Sequence, residues 1–194
     1  MSLKRQLKIL LFQKKDFILK ALNKYENSRN FLSSDIENNK LLLFGSFYPI
    51  VTDYGKNSVC FKDGKIHLTV KNDGQKEKAL MDFYKKECEK TVTEMCKNVY
   101  PVFKGYTPCF PEIKFRNMKS RLGSLTPSKN LLTFNIRIIL LPPRLIEYVV
   151  LHEFCHYIEP NHSKNFYSVL LSVLPDYKER QNQIKSFGNI DFFR

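Results

Sequence analysis

Three of the chain's four histidines fall within one run of eleven residues, His152-Glu153-Phe154-Cys155-His156-Tyr157-Ile158-Glu159-Pro160-Asn161-His162. Pro142 and Pro143 precede this run and Pro160 interrupts it. Proline is tolerated in a helix only in its first turn, so the segment predicts a helix that opens at Pro142-Pro143 and runs to Glu159. On a helix, positions i and i+4 share a face, so His152 and His156 bring two imidazole nitrogens to one point, each about 2 Å from a shared zinc ion. Glu153 stands one residue further round, within reach of a metal-bound water without ligating the ion; the pattern is H-E-x-x-H. Ile146, Val150, Phe154 and Ile158 form an apolar stripe, which predicts that the histidines project from a face other than the main core contact.

A catalytic zinc takes three protein ligands and keeps a fourth position for water. His162 is the preferred third ligand, because Asn161 turns the chain after Pro160 and a helix capped by Ser163 would hold His162 just outside its start. Glu179 is the competing ligand, supplied from a later helix as in gluzincins. The interval from His152 to His162 matches the metzincins, yet Glu159 stands where their turn needs glycine and no methionine follows Met118, so the metzincin reading fails. Glu159 reads as solvated or as a support to the ligands, and Cys155 as a small buried hydrophobe.

Around this core the chain reads as α+β. Apolar residues recur at helical spacing from Leu3 to about Tyr25, and the polar stretch from Asn27 to Lys40 follows as a linker, so residues 1–40 form an N-terminal unit and 41–194 the main domain. Leu41 to Thr52, Ser58 to Lys62 and Lys65 to Val70 predict a small antiparallel sheet, with Asp63-Gly64 as a tight turn. A long helix is expected from Gln75 to about Lys97, before Pro101. Glu112 to Phe115 and Leu131 to Ile136 read as strands joined by the basic, turn-rich segment Arg116 to Asn130. Two further helices follow, one from Ser163 to before Pro175 and one from Asp176.

Charge and cysteine content narrow the setting. With 32 Lys+Arg against 19 Asp+Glu the net charge is +13, a field that attracts nucleic acid or acidic substrates, although a solvated basic surface is the simpler reading. The five cysteines, at 60, 88, 96, 109 and 155, contain no C-x-x-C pair, which favours reduced thiols in a cytoplasm over a disulfide framework or a four-cysteine zinc site. The apolar run Ile9 to Phe12 ends at Gln13-Lys14-Lys15, too short for a signal peptide, and no stretch approaches 18 apolar residues.

The run Tyr148 to His156, the run Glu159-Pro160-Asn161-His162-Ser163-Lys164-Asn165-Phe166 and Leu174-Pro175-Asp176-Tyr177-Lys178 together resemble the YgjP-like metallopeptidase family. Lys119 to Ser124 and Phe134-Asn135-Ile136-Arg137 are similar to that family's segments before the zinc helix, and the resemblance covers roughly residues 41 to 187. Departures fall at Leu122, Leu125, Ile136 and Tyr167, where members usually carry Trp or Cys. The family in turn resembles the SprT-like zinc proteases, in which a later histidine is the third ligand, and this implies that role for His162. The implied architecture is zincin-like, a small sheet packed with helices that include the H-E-x-x-H helix.

These readings converge on a zinc-dependent hydrolase that cleaves a peptide or protein substrate, with Glu153 activating the zinc-bound water. The strand Leu131 to Asn135 is expected to present backbone groups to an extended peptide. Arg121, Asn135 and Arg137 are candidate substrate or oxyanion contacts. The alternatives are a nucleoside-triphosphate pyrophosphatase, an activity attributed to one relative of the family, and a basic nucleic-acid-associated module whose zinc is structural. Structural zinc takes four protein ligands, and Cys155 is the only thiol near the histidines.

Overall fold

The computed structural model describes residues 39–118 and 121–186. The expected N-terminal helix and nearly all of its linker lie outside the described residues, as do Lys119 and Ser120. The described chain is α+β, as expected: seven strands in two small sheets, and four α-helices.

The first sheet is built from β1 (Lys40–Leu43), β2 (Ser46–Tyr54), β3 (Ser58–Lys62) and β4 (Lys65–Val70), in the order β1-β2-β4-β3. Asp63 and Gly64 both take positive φ, 51° and 70°, the conformation that a two-residue hairpin loop requires. Contrary to the expectation of an antiparallel sheet, β2 and β4 run parallel, while β1–β2 and β3–β4 are antiparallel. The reason lies in the burial pattern: β4 buries Ile66, Leu68 and Val70 and takes the interior position, leaving the mostly exposed β3 at the edge.

Helix α1 (Lys76–Phe103) buries Leu80, Tyr84, Cys88, Val92, Cys96, Val99 and Phe103 at steps of three or four. It runs through Pro101 instead of stopping at Lys97. The extra turn costs a hydrogen bond but seats Phe103 fully inside the core, its ring 5.4 Å from that of Phe154.

The second sheet has the order β5-β7-β6, formed by β5 (Glu112–Arg116), β6 (Gly123–Thr126) and β7 (Leu131–Asn135). β6 lies inside the segment expected to be a turn-rich connection; at four residues it is too short to show a period of two and is held as a strand by its antiparallel pairing with β7. After β7 a buried 3-10 turn, Ile136–Leu140, leads into α2 (Pro143–Cys155). The β1–β2 turn docks on this entrance: Phe44 N–H donates to Ile139 O at 3.0 Å and Gly45 N–H to Leu140 O at 2.9 Å. Helices α3 (Lys164–Val173) and α4 (Tyr177–Ser186) follow.

Helix α2 packs against α1, α3, α4 and β6. Its residues Tyr148 to Cys155 are all buried; Ile146, Val150 and Phe154 sit in the core, whereas His152 and the half-buried His156 line a cavity. The α-helical hydrogen bonding ends earlier than expected, at Cys155, and the chain continues to Glu159 through looser turns. Arg180 on α4 ties down the start of α2 by bonding Arg144 O at 2.7 Å and pairing with Glu147 and Asp176. No helix among the described residues is long and apolar enough to cross a membrane.

Candidate metal centre

The last turn of α2 supplies His152 and its C-cap is His156, and the loop after Pro160 returns His162 to them. Ser163 caps α3 by accepting hydrogen bonds from Asn165 N–H at 3.1 Å and Phe166 N–H at 3.3 Å, which fixes the residue before it at the mouth of the helix. The nitrogen donors of His152, His156 and His162 lie within 4.8 Å of one another, and the Nε2 atoms of His152 and His162 are 2.9 Å apart. This group could hold a metal ion.

Electrostatics keep the imidazoles in the ligand form. Burial, reinforced by the neighbouring His156 and His162, holds His152 down to about 2. Burial likewise lowers His156 and His162 below the ordinary histidine range. His156 Nδ1 lies 3.1 Å from Glu159 O. A carbonyl only accepts, so Nδ1 carries the proton and Nε2 is left as the lone-pair donor facing the cluster.

Phe166, fully buried on the first turn of α3, supports all three rings. Its centroid lies 4.8 Å from that of His152, 4.7 Å from His156 and 4.9 Å from His162. Sequence reasoning assigned it no role; the available signal was its place four residues after His162, on the face that a Ser163-capped helix turns back toward the cluster.

Glu153 is 4% exposed, and burial pushes its carboxyl up to about 8, against the opposing effects of the Arg121 charge and a hydrogen bond from the Leu125 backbone. It shares a cavity of about 340 Å³ with the three histidines, Arg121, Gly123, Ser124, Leu125, Pro127, Pro160 and Asn161. Cys155 is not among the lining residues; it is a buried thiol, pushed up to about 12 by burial and the Glu153 charge.

β6 forms one wall, and its register shows which of its backbone groups face inward. Asn135 N–H donates to Leu122 O at 2.8 Å. Gly123 opposite Phe134, and Leu125 opposite Leu132, are therefore non-hydrogen-bonded pairs, and the backbone groups of Gly123 and Leu125 point away from β7. The expectation that Leu131 to Asn135 would be the exposed edge is corrected: β7 is the central strand, flanked by β5 and β6, and the edge beside the cavity is β6.

Of the other candidate residues, Arg121 lines the cavity. Asn135 and Arg137 are not among its lining residues. The Asn135 amide is 2% exposed, donates to Met118 O and Arg121 O, both at 2.8 Å, and accepts from Arg137 N–H at 3.1 Å. Glu179 stands apart from the cluster on α4, paired with Arg144 at 3.0 Å and 61% exposed at its side chain.

No curated protein matches the chain. Among solved structures it is similar to the metallopeptidase zymogen abylysin of Pyrococcus abyssi, at 18% identity over 49% of this chain and 92% of that one, with a TM-score of 0.44. It is similar also to the zymogen jannalysin of Methanocaldococcus jannaschii, at 18% identity over 48% and 93%, with a TM-score of 0.43. The model of the family described as YgjP-like, metallopeptidase domain, matches residues 3–187, nearly the full length, and the chain belongs to the YgjP-like metallopeptidase family.

Proposed function

We propose that the protein is a zinc-dependent peptidase in which His152, His156 and His162 hold the ion and Glu153 is the general base. The observation that carries this reading is the shared cavity: the three imidazoles, the Glu153 carboxylate and the outward edge of β6 all face one space. Neutral imidazoles suit zinc, and donor separations from 2.9 to 4.8 Å bracket the roughly 3.3 Å between ligands about 2.0–2.1 Å from a tetrahedral ion. Zinc, when bound, supplies acidified water and a polarised carbonyl.

The chain's own residues do the rest. Glu153 takes a proton from the attacking water and hands it to the leaving amine nitrogen. An extended peptide pairs with the Gly123 backbone groups and the Leu125 carbonyl on the open side of β6. Arg121 at the cavity wall contacts the substrate, while Asn135 and the backbone of Arg137 hold that wall in place. The five thiols, three of them buried, suit a reducing cytoplasm.

The test is cleavage of an unstructured peptide library by the zinc-loaded protein, read by mass spectrometry. Glu153→Gln is expected to retain one zinc per chain and lose at least about 100-fold in rate. Hydrolysis of nucleoside triphosphates without peptide cleavage would replace this reading with phosphoanhydride chemistry at the same site.

A further inference from the structure

Gly123 opens β6 and is buried. A Cβ at this position would lie 2.7 Å from both Cγ and Oε1 of Glu153 and 2.9 Å from its Cδ. Such approaches are shorter than van der Waals contact allows, so a side chain here and the present carboxylate cannot coexist. The constraint is one of space, since the residue lies in a regular strand.

The strand and the helix backbone cannot yield, so a new side chain would drive the Glu153 carboxylate from its place toward the cavity. β6 is anchored by its pairing with β7, where Phe134 opposite Gly123 is fully buried, and by the Asn135 N–H to Leu122 O bond. Glu153 projects from a helix whose neighbouring residues, Tyr148 to Cys155, are all buried. On the same strand, two residues along, the Leu125 N–H points away from β7 and acts on the Glu153 carboxylate, favouring its charged form.

We propose that Gly123 is a positioning residue: β6 sets where the Glu153 carboxylate sits, through the side-chain-free seat at Gly123 and the N–H of Leu125. This rests on Glu153 being the general base. One strand then has two duties, pairing with the substrate backbone and holding the group that activates water, so base and scissile bond share one reference frame.

The test pairs Gly123→Ala with Glu153→Ala, which removes Cγ, Cδ and the carboxylate and so vacates the space that the new methyl needs. Amide exchange measured by NMR is the first readout. Gly123→Ala is expected to speed Leu125 exchange about tenfold, the equivalent of one hydrogen bond, while Ser124 and Thr126, which bond β7, keep their protection. Equal acceleration at all three would mean general loosening of the strand, and no change at Leu125 would mean that the carboxylate was never displaced; either overturns the proposal.

Kinetics are the second readout. Gly123→Ala is expected to keep one zinc per chain and a near-native KM while kcat falls about 100-fold, the cost of an ångström of misplacement. The double variant is expected to be no slower than Glu153→Ala alone, whereas multiplicative losses would overturn the proposal. If the wild type cleaves no peptide, the peptidase reading fails, and the exchange result still decides the seat.

Discussion

The Nε2 atoms of His152 and His162 lie 2.9 Å apart across ten residues of chain, whereas Glu179 sits away from them in a pair with Arg144. Two imidazole nitrogens this close gain from a shared cation. His162→Ala is expected to weaken zinc binding by more than the roughly 10–100-fold that loss of a residue merely supporting a ligand costs. Glu179→Ala is expected to leave one zinc per chain and to change stability by less than about 1 kcal/mol, as for an exposed ion pair. Elemental analysis of the two variants beside the wild type checks both; zinc lost from Glu179→Ala and retained by His162→Ala would reverse the ligand assignment.

Phe166 touches all three imidazoles, so its removal acts on the fold and on the site together. Phe166→Ala is expected to cost about 3–5 kcal/mol, the usual range for emptying a buried aromatic position. The cavity beside the rings also frees their side-chain torsions, so zinc affinity is expected to fall. Phe166→Leu keeps much of the volume and the apolar wall, and is expected to restore most of the stability but only part of the affinity. Chemical denaturation and a competition titration with a zinc chelator separate the two effects.

The parts of this molecule legible in its sequence are those governed by local rules. Helical spacing located α1, the H-E-x-x-H spacing paired His152 with His156, and the cap at Ser163 lies where its place before Lys164 and Asn165 suggested. What escaped depends on contacts distant in sequence. β6 is four residues long and exists because β7 pairs with it, the parallel β2–β4 contact follows from which strand carries more buried apolar surface, and Gly123 shows its purpose only when Glu153 is set against it. Asn135 is marked by the sequence as a candidate substrate contact, whereas its amide bonds Met118 O and Arg121 O in the β5–β6 connection, whose path is tertiary.

Burial of Glu153 makes the stability of the metal-free protein depend on pH. The folded carboxyl titrates near 8 and the unfolded one near 4.5, so between those values the folded state holds a proton that the unfolded state has lost. Stability from this group is therefore fully present below pH 4.5 and is lost as pH rises toward 8, with a slope no steeper than about 1.4 kcal/mol per pH unit. The three histidines oppose it at lower pH, because their folded values are depressed and the unfolded chain takes up protons below about 6.5. Comparison with Glu153→Gln cancels their contribution. In chelator, the stability of the wild type relative to this variant is expected to fall steadily from pH 6 to pH 8 in denaturant titrations; a flat difference would show that Glu153 is already ionised in the folded state.

Asn135 offers a test of how the cavity wall is held. Its side-chain amide donates to Met118 O and Arg121 O and its Oδ1 accepts from Arg137 N–H, so one buried side chain closes the connection between β5 and β6 and fixes the start of the turn after β7. Asn135→Ala leaves two carbonyls and an N–H without this partner, and each such loss costs about 1–3 kcal/mol where water cannot substitute. The connection carrying Arg121 sits near the surface and can recover part of this from solvent, so a net loss of about 2–3 kcal/mol is expected. Asn135→Asp retains the acceptor for Arg137 N–H but replaces the donor with a carboxylate facing two carbonyl oxygens, and is expected to be at least as destabilising as alanine. The histidine cluster does not include this residue, so zinc stoichiometry should survive in both variants while peptide KM rises as Arg121 loses its fixed position. Peptide cleavage at unchanged KM with stability reduced would confine Asn135 to the fold and separate the wall from substrate binding.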